Sequence, residues 1–318
     1  MFKYVVKRIL LMILTFLIIT TMCFVLIKLL PLPIIKVQGR DAQLIAARRE
    51  AMGYNKPILV QYVRYWRHIL LQGDFGLGEQ MYVGLEVTDI MLQKIPYTIV
   101  VNLYSILIAI PLGILFGIYA ALKKNKWQDH VISTGVMVLI SVPSYVYAFL
   151  IQYLLCFKLN WFPLTIVSRE VADFFSWKMF YSMVPAILSL AFGTIAGLTR
   201  FTRAELAEVL TGDYLLLART KGLTRTQAIT RHALRNAMVP ILPMILSEFV
   251  GILGGSLIIE SIFAIPGIGS LYVTSISLRD YNFFMADTFF YTLIGLVAGL
   301  VNDLSYGFID PRIKMGQR

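Results

Sequence analysis

Charge is what this chain has least of. Only 15% of its 318 residues are Asp, Glu, Lys or Arg, against about 25% in a soluble domain. Too few charges remain to coat the surface of a water-soluble protein of this length, which excludes an ordinary globular domain. Cysteine is nearly absent as well. Cys23 and Cys156 both sit in apolar runs, which excludes a disulfide framework and a thiolate metal site. The three histidines, His68, His130 and His232, stand far apart with no partner at metal-ligand spacing. No HExxH, GxSxG or GxxxxGK[ST] pattern occurs, so no zinc-protease, esterase or phosphate-binding-loop signature is present. There is also no internal repeat and no low-complexity linker.

What fills the composition is apolar: 58% hydrophobic residues, with a mean hydropathy of +0.73. That mass requires a non-aqueous solvent, so the expectation is an all-α integral membrane protein. A run of about 20 apolar residues crosses a bilayer, and six such runs lie near 9–30, 98–122, 131–157, 183–199, 239–262 and 286–306. Lys3, Lys7 and Arg8 precede the first, as in a signal peptide. Its run is too long, however, and no small-residue cleavage site follows, so it reads as an uncleaved anchor.

The net charge of +11 is read as the mark of a cytoplasmic face rather than of nucleic-acid binding. With the N-terminus inside, the inner segments and tail hold sixteen Lys and Arg, and the two short outer loops hold four. Arg312, Lys314 and Arg318 are among the sixteen. Both termini are therefore expected to be cytoplasmic. The chain divides into 1–30 (tail and first span), an extracytoplasmic segment 31–97, and a five-span core 98–318 that contains a cytoplasmic loop at 200–238. Within 31–97, a helix near 41–52 ends at Gly53 and a second follows Pro57. The second helix carries one apolar stripe, Leu59, Tyr62, Val63, Trp66, Ile69 and Leu70. It fits an interfacial helix or a cap over the bundle.

The loop 200–238 is the most specific stretch. Asp213 reads as an N-cap, Tyr214–Lys221 as two helical turns, and Gly222 as the left-handed residue that ends them. Thr224 and Gln227 have capping-box spacing and open a second helix toward Asn236. So short a helix is marginal alone in water. With Leu215, Leu216 and Leu217 to bury, it needs a docking surface. A partner protein and the chain's own bundle serve equally well on these grounds.

The run DYLLLARTKGLTRTQAITRHALRNAMVP resembles the cytoplasmic EAA-type loop of bacterial ABC importer permeases. Its ARxKG and RHALRNA elements are similar to the dipeptide/oligopeptide/nickel subfamily. The MFKYVVKRIL start, GDFG at 73–76, KIPYTI at 94–99, SVPS at 141–144, RFTR at 200–203, GGSLIIESIFAIPGIG at 254–269 and DPRI at 310–313 follow in the family's order. Two places depart from the pattern. Leu216 and Leu217 stand where the older EAA signature has an acid and an alanine, and PLPII at 31–35 replaces PGDP.

The resemblance implies a type I importer fold of the first-permease type in the bacterial plasma membrane. It implies pairing with a second homologous permease, two cytosolic ATPases beneath, and an extracytoplasmic solute-binding protein that delivers peptide. This chain would bind no cofactor; ATP and Mg2+ would sit on the partner ATPases. The family's coupling helix falls near 214–222. Asp213, Tyr214, Ala218, Arg219, Lys221 and Gly222 are then the ATPase-coupling candidates, with Ala218 as the small docking residue. Arg235 and Asn236 would hold the second helix against the loop.

Carboxylates in hydrocarbon are costly, so Glu248, Glu260, Asp287 and Asp303 are functional candidates by default. Glu248 and Glu260 are the substrate-pathway candidates, and Glu260 also reads as a structural acid at the membrane edge. The glycines at 251, 254 and 255 read as close-packing positions, and PGIG at 266–269 as an outer turn. The competing reading is an ion-coupled carrier or channel in which these acids bind the coupling ion. An intramembrane enzyme lacks any nucleophile–base or metal constellation.

Overall fold

A computed structural model describes residues 2–31, 34 and 38–309. Most of PLPII, the DPRI motif and the basic tail residues Arg312, Lys314 and Arg318 lie outside the described residues. Among the described residues the regular elements are helical, apart from two isolated bridges pairing Leu77 with Glu86 and Gly78 with Val83. They are α1 (Phe2–Leu29), α2 (Arg40–Ala51), α3 (Ile58–Gln72), α4 (Val87–Leu122), α5 (Trp127–Ser141) and α6 (Ser144–Ile151), which runs on as a π-helix to Lys158. Then come α7 (Trp177–Val209), α8 (Asp213–Thr220), α9 (Arg225–Ala228), a π stretch Ile229–Ala233, and α10 (Leu234–Gly251). A 3-10 turn Ile252–Gly254, α11 (Leu257–Ile262), α12 (Ile268–Leu278) and α13 (Tyr281–Ile309) complete the chain.

Among the described residues, five helical runs are long and apolar enough to cross a membrane: Lys3–Leu29, Val87–Leu122, Trp177–Val209, Arg225–Gly254 and Tyr281–Ser305. A sixth crossing requires α5 and α6 to count together, and they are bent by 101°. The third expected span is thus not one straight helix. Pro143 has no N–H to donate, and it holds Val142 in an extended conformation (φ −88°, ψ 126°). Pro111, Pro185, Pro240 and Pro243 break nothing and lie inside continuous helices. The fifth span begins earlier than its hydropathy implied and ends at Gly254 rather than 262. Gly255 takes φ +57° there and separates α11 as its own helix.

The chain forms two compact units, residues 1–99 with 253–300, and 100–252 with 301–318. In the first unit, Val87, Ile90, Met91, Ile268, Leu271, Phe283 and Ala286 form a buried core. Beside it α3 packs along α1 through an aromatic seam, with Phe24 against Tyr62 and Tyr65, and Phe16 against Trp66. The expected stripe of α3 is therefore split. Tyr62, Trp66 and Ile69 turn inward, whereas Leu59, Val63 and Leu70 are 74%, 66% and 73% exposed. Charged groups tie the surrounding loops. Arg48 pairs with Asp74, and Arg49 Nη2 donates to Glu79 Oε2 at 2.6 Å. That hydrogen bond is the main reason the Arg49 guanidinium is held more firmly protonated. Asp280 Oδ2 accepts from the backbone N–H groups of Glu79, Gln80 and Met81 at 2.8, 2.7 and 3.1 Å.

In the second unit, α4 and α7 touch through glycine. A Cβ at Gly117 would lie 2.4 Å from Thr202 Cβ, and one at Gly113 would lie 2.8 Å from Leu198 Cβ. Thr199 Oγ1 donates to the Gly113 carbonyl at 3.1 Å. Both α5 and α6 pack on α7. At the start of α5 the buried Asp129 accepts from Arg203 Nη2 of α7 at 2.7 Å and from the Asn125 N–H at 2.9 Å. Because Gly117 has no room for a side chain, Gly117→Val is expected to cost about 1–3 kcal/mol by overpacking. A Cβ at Gly135 meets nothing within 4 Å, so Gly135→Ala should leave stability unchanged or higher. Thermal melts of the two purified variants in detergent compare these outcomes, and equal melting temperatures would refute the contact.

Candidate functional site

The loop residues singled out above build a helical hairpin within the second unit. Leu210 to Gly212 leave α7, and Gly212 is the N-cap of α8. Asp213 is thus the first helical residue rather than the cap, where its charge still favours the positive end of the helix dipole. Gly222 takes φ +90°, and its N–H donates to the Arg219 carbonyl while the Leu223 N–H donates to Ala218. This is the left-handed stop that glycine alone adopts without strain. Thr224 Oγ1 then accepts from the Gln227 N–H, and Gln227 returns the bond to the Thr224 N–H, a complete capping box.

One face of the hairpin belongs to the chain itself. Leu215 packs on a core of Ala121, Leu206, Ala207, Ala233 and Ala237, and Ala218, Ala228 and Ile229 are buried. Ala218 is therefore taken up inside this chain. The opposite face is open: Leu216 is 63% and Leu217 56% exposed, with Arg219 and Lys221 exposed beside them. The Tyr214 backbone belongs to α8, and its side chain lies outside the described residues. Arg235 and Asn236 lie exposed on the first turn of α10, and neither side chain bonds to the hairpin among the described residues. The alanine and leucine core holds the two helices together instead.

The four acids have different surroundings. Glu248 is half-buried on α10 and accepts from Thr194 Oγ1 of α7 at 3.3 Å. Glu260 is 1% exposed and saturated. Its Oε1 accepts from Thr98 Oγ1 at 3.0 Å, and its Oε2 from the N–H groups of Gly269 and Ser270 at 2.8 and 3.2 Å. A Cβ at Gly255, Gly267 or Gly269 would lie 2.5, 2.3 or 3.0 Å from one of these oxygens. Gly255 and the two glycines of the PGIG run thus make room for a carboxylate, a role that close packing of helices and an outer turn had not implied, whereas a Cβ at Gly251 or Gly254 meets nothing within 4 Å. Asp287 is fully buried on α13, and neither of its oxygens has a hydrogen-bond partner among the described residues. Asp303 is half-buried on the same helix. No group of three or more His, Cys, Asp or Glu among the described residues could hold a metal ion.

Thr98, the amide nest that receives Asp280, and the Asp129–Arg203 pair were not anticipated, because each joins residues far apart in the chain. Two of the buried acids make a sharp contrast. Glu260→Gln would set an amide N–H2 among N–H donors, which is expected to cost about 2–3 kcal/mol. Asp287→Asn removes an unpaired buried carboxylate and should melt at the wild-type temperature or above. A lower melting temperature for Asp287→Asn than for Glu260→Gln would reverse the assignment.

Comparison with known proteins bears on what this scaffold does. The binding-protein-dependent transport system inner membrane component family matches residues 113–315, and the N-terminal region of such components matches residues 1–102. The dipeptide transport system permease proteins of Lactococcus lactis and Bacillus subtilis are 34% and 33% identical over 99% and 100% of this chain and 100% of their own length. A glutathione transport system permease protein of Salmonella paratyphi A is 34% identical over 99% of both chains. A crystal structure of an amino acid ABC transporter shares the fold, with a TM-score of 0.51 at 18% identity over 69% of this chain and 94% of that one. Nothing in these relatives favours the ion-coupled carrier. The chain belongs to the binding-protein-dependent transport system inner membrane components, bacterial multi-pass permeases that act with substrate-binding and ATPase partners.

Proposed function

We propose that this chain forms half of the translocation pathway of an ATP-driven importer of di- and oligopeptides. A second homologous permease supplies the other half, and two cytosolic ATPases drive the cycle. An extracytoplasmic solute-binding protein delivers substrate, and both termini lie in the cytoplasm. The relatives named for dipeptide and glutathione transport support the substrate class. ATP hydrolysis belongs to the partner chains.

One observation carries the coupling assignment. The hairpin is closed on its inner side by Leu215 and Ala218, yet it holds Leu216 and Leu217 outward between exposed charges. Two adjacent leucines on a rigid exposed turn gain most by entering a groove on another protein. In this reading Leu216 and Leu217 enter an ATPase groove, and Arg219 and Lys221 meet carboxylates at its rim. Asp213 favours the start of α8, Gly222 fixes the turn, and Ala218 lets α8 lie close to α9. Tyr214, Arg235 and Asn236 border the contact. Glu248, half-buried and held by a single hydroxyl, is the pathway acid and attracts a peptide ammonium group. Glu260, held by Thr98 and two backbone N–H groups, serves as a structural acid and not as a pathway group.

Reconstitution with the ATPases, the second permease and the binding protein tests the reading through uptake of a labelled dipeptide. A β-branched residue in the left-handed region costs about 1–3 kcal/mol, so Gly222→Val should lower uptake at least about tenfold while the chain still inserts. Leu217→Asp should lower it comparably and weaken retention of the ATPases. Full uptake by both variants would overturn the docking role. Separately, Glu248→Gln should raise the half-saturating dipeptide concentration about tenfold, the value of one charge-assisted hydrogen bond. An unchanged value would remove Glu248 from the pathway.

A further inference from the structure

A cavity of about 440 Å³ opens where the last turn of α1, the end of α12 and the first turn of α13 meet. Ile27, Leu30, Ile276 and Phe284 give it apolar walls, and Arg279 and Tyr281 supply polar groups. The apolar span of α1 ends at Leu29, so the cavity lies where hydrocarbon gives way to headgroups. At the same end of the first span Leu26, Leu29 and the cavity residue Leu30 are 60%, 74% and 52% exposed, a surface suited to acyl chains and not to water.

The charge at this cavity is uncompensated. Arg279 is exposed and forms no ion pair or side-chain hydrogen bond among the described residues. Its neighbour Asp280 offers it nothing. Asp280 Oδ2 is taken by the three amides of residues 79–81, and Oδ1 accepts from the Phe283 N–H at the start of α13. The arginine also occupies a strained backbone position. It caps α12 with φ +58° and ψ 41°, where glycine or asparagine would be the economical residue. Tyr281 completes the setting, with its hydroxyl donating to the Pro31 carbonyl at 3.1 Å, in the manner of interfacial aromatic residues.

We infer that this cavity holds one acyl chain of a phospholipid from the leaflet reached by the C-terminal end of α1, and that Arg279 binds the lipid phosphate. The guanidinium forms charge-assisted hydrogen bonds to phosphate oxygens, and the chain fills the space between Ile27 and Phe284. The lipid then acts as a wedge joining α1 to the α12–α13 corner. A second permease subunit covering the same face is the competing occupant.

Native mass spectrometry of the purified protein, with its partner chains retained, tests this using phosphatidylglycerol and the diacylglycerol with the same chains. The wild type should keep phosphatidylglycerol about tenfold more tightly than diacylglycerol, the worth of one charge-assisted contact. Arg279→Gly relieves the backbone strain, so it should melt no lower than wild type yet lose that tenfold preference. Arg279→Lys should restore part of it, and Ile276→Trp, which fills the cavity, should abolish retention of both lipids. Equal retention of the two lipids by wild type, or by wild type and Arg279→Gly alike, overturns the inference. So does an Ile276→Cys variant that cross-links in membranes to a protein chain while no phospholipid is retained.

Discussion

A carboxylate that is 1% exposed survives in an apolar protein only where donors replace the water it has lost. Glu260 meets that condition with one hydroxyl and two backbone N–H groups, and the demand radiates outward. The N–H groups belong to the first turn of α12, so the carboxylate fixes where that helix starts. The hydroxyl belongs to Thr98, which also accepts from the Ile268 N–H at 3.0 Å. One side chain thus ties α4, α11 and α12 together. Glycine at 255, 267 and 269 follows from the same demand, since any side chain there would strike the oxygens.

Similar anchoring recurs at other corners of the molecule. Asp280 gathers three successive amides, and Asp129 gathers a guanidinium, an amide and the Ser133 hydroxyl. Each joins a helix terminus to a distant segment, where hydrophobic contact alone would fix position loosely. Between these points, alignment is set by small residues, as where Gly113 and Gly117 bring α4 against α7. Asp287 is the exception, a buried acid without such partners among the described residues, and it marks how completely the others are satisfied.

Much of this was legible in the residues. The apolar runs located the helices, Gly53 follows the helix it was expected to stop, Gly222 takes the left-handed conformation assigned to it, and the Thr224–Gln227 box forms as spaced. What hydropathy could not see was geometry inside an apolar run. Val142–Pro143 and Gly254–Gly255 are too short to lower a running average, yet they bend one span and end another. Periodicity placed Leu59 and Trp66 on one stripe, but a helix flanked by an apolar span and an apolar surroundings has no single inward face. In the hairpin, the local signals defined the turn but not which leucines face out. That division depends on Leu215 meeting alanines from α4, α7 and α10. The GxxxG spacing at 113–117 stands in the sequence, but the helix it packs against does not follow from spacing alone.

The bend between α5 and α6 carries a consequence in time. Both arms of the bend pack on α7. α7 begins at Trp177, after the bent pair has been made. A ribosome adding roughly 5–20 residues per second therefore completes the bent pair some seconds before its packing face exists. Until α7 arrives, the two arms lack the helix they pack on in the finished protein.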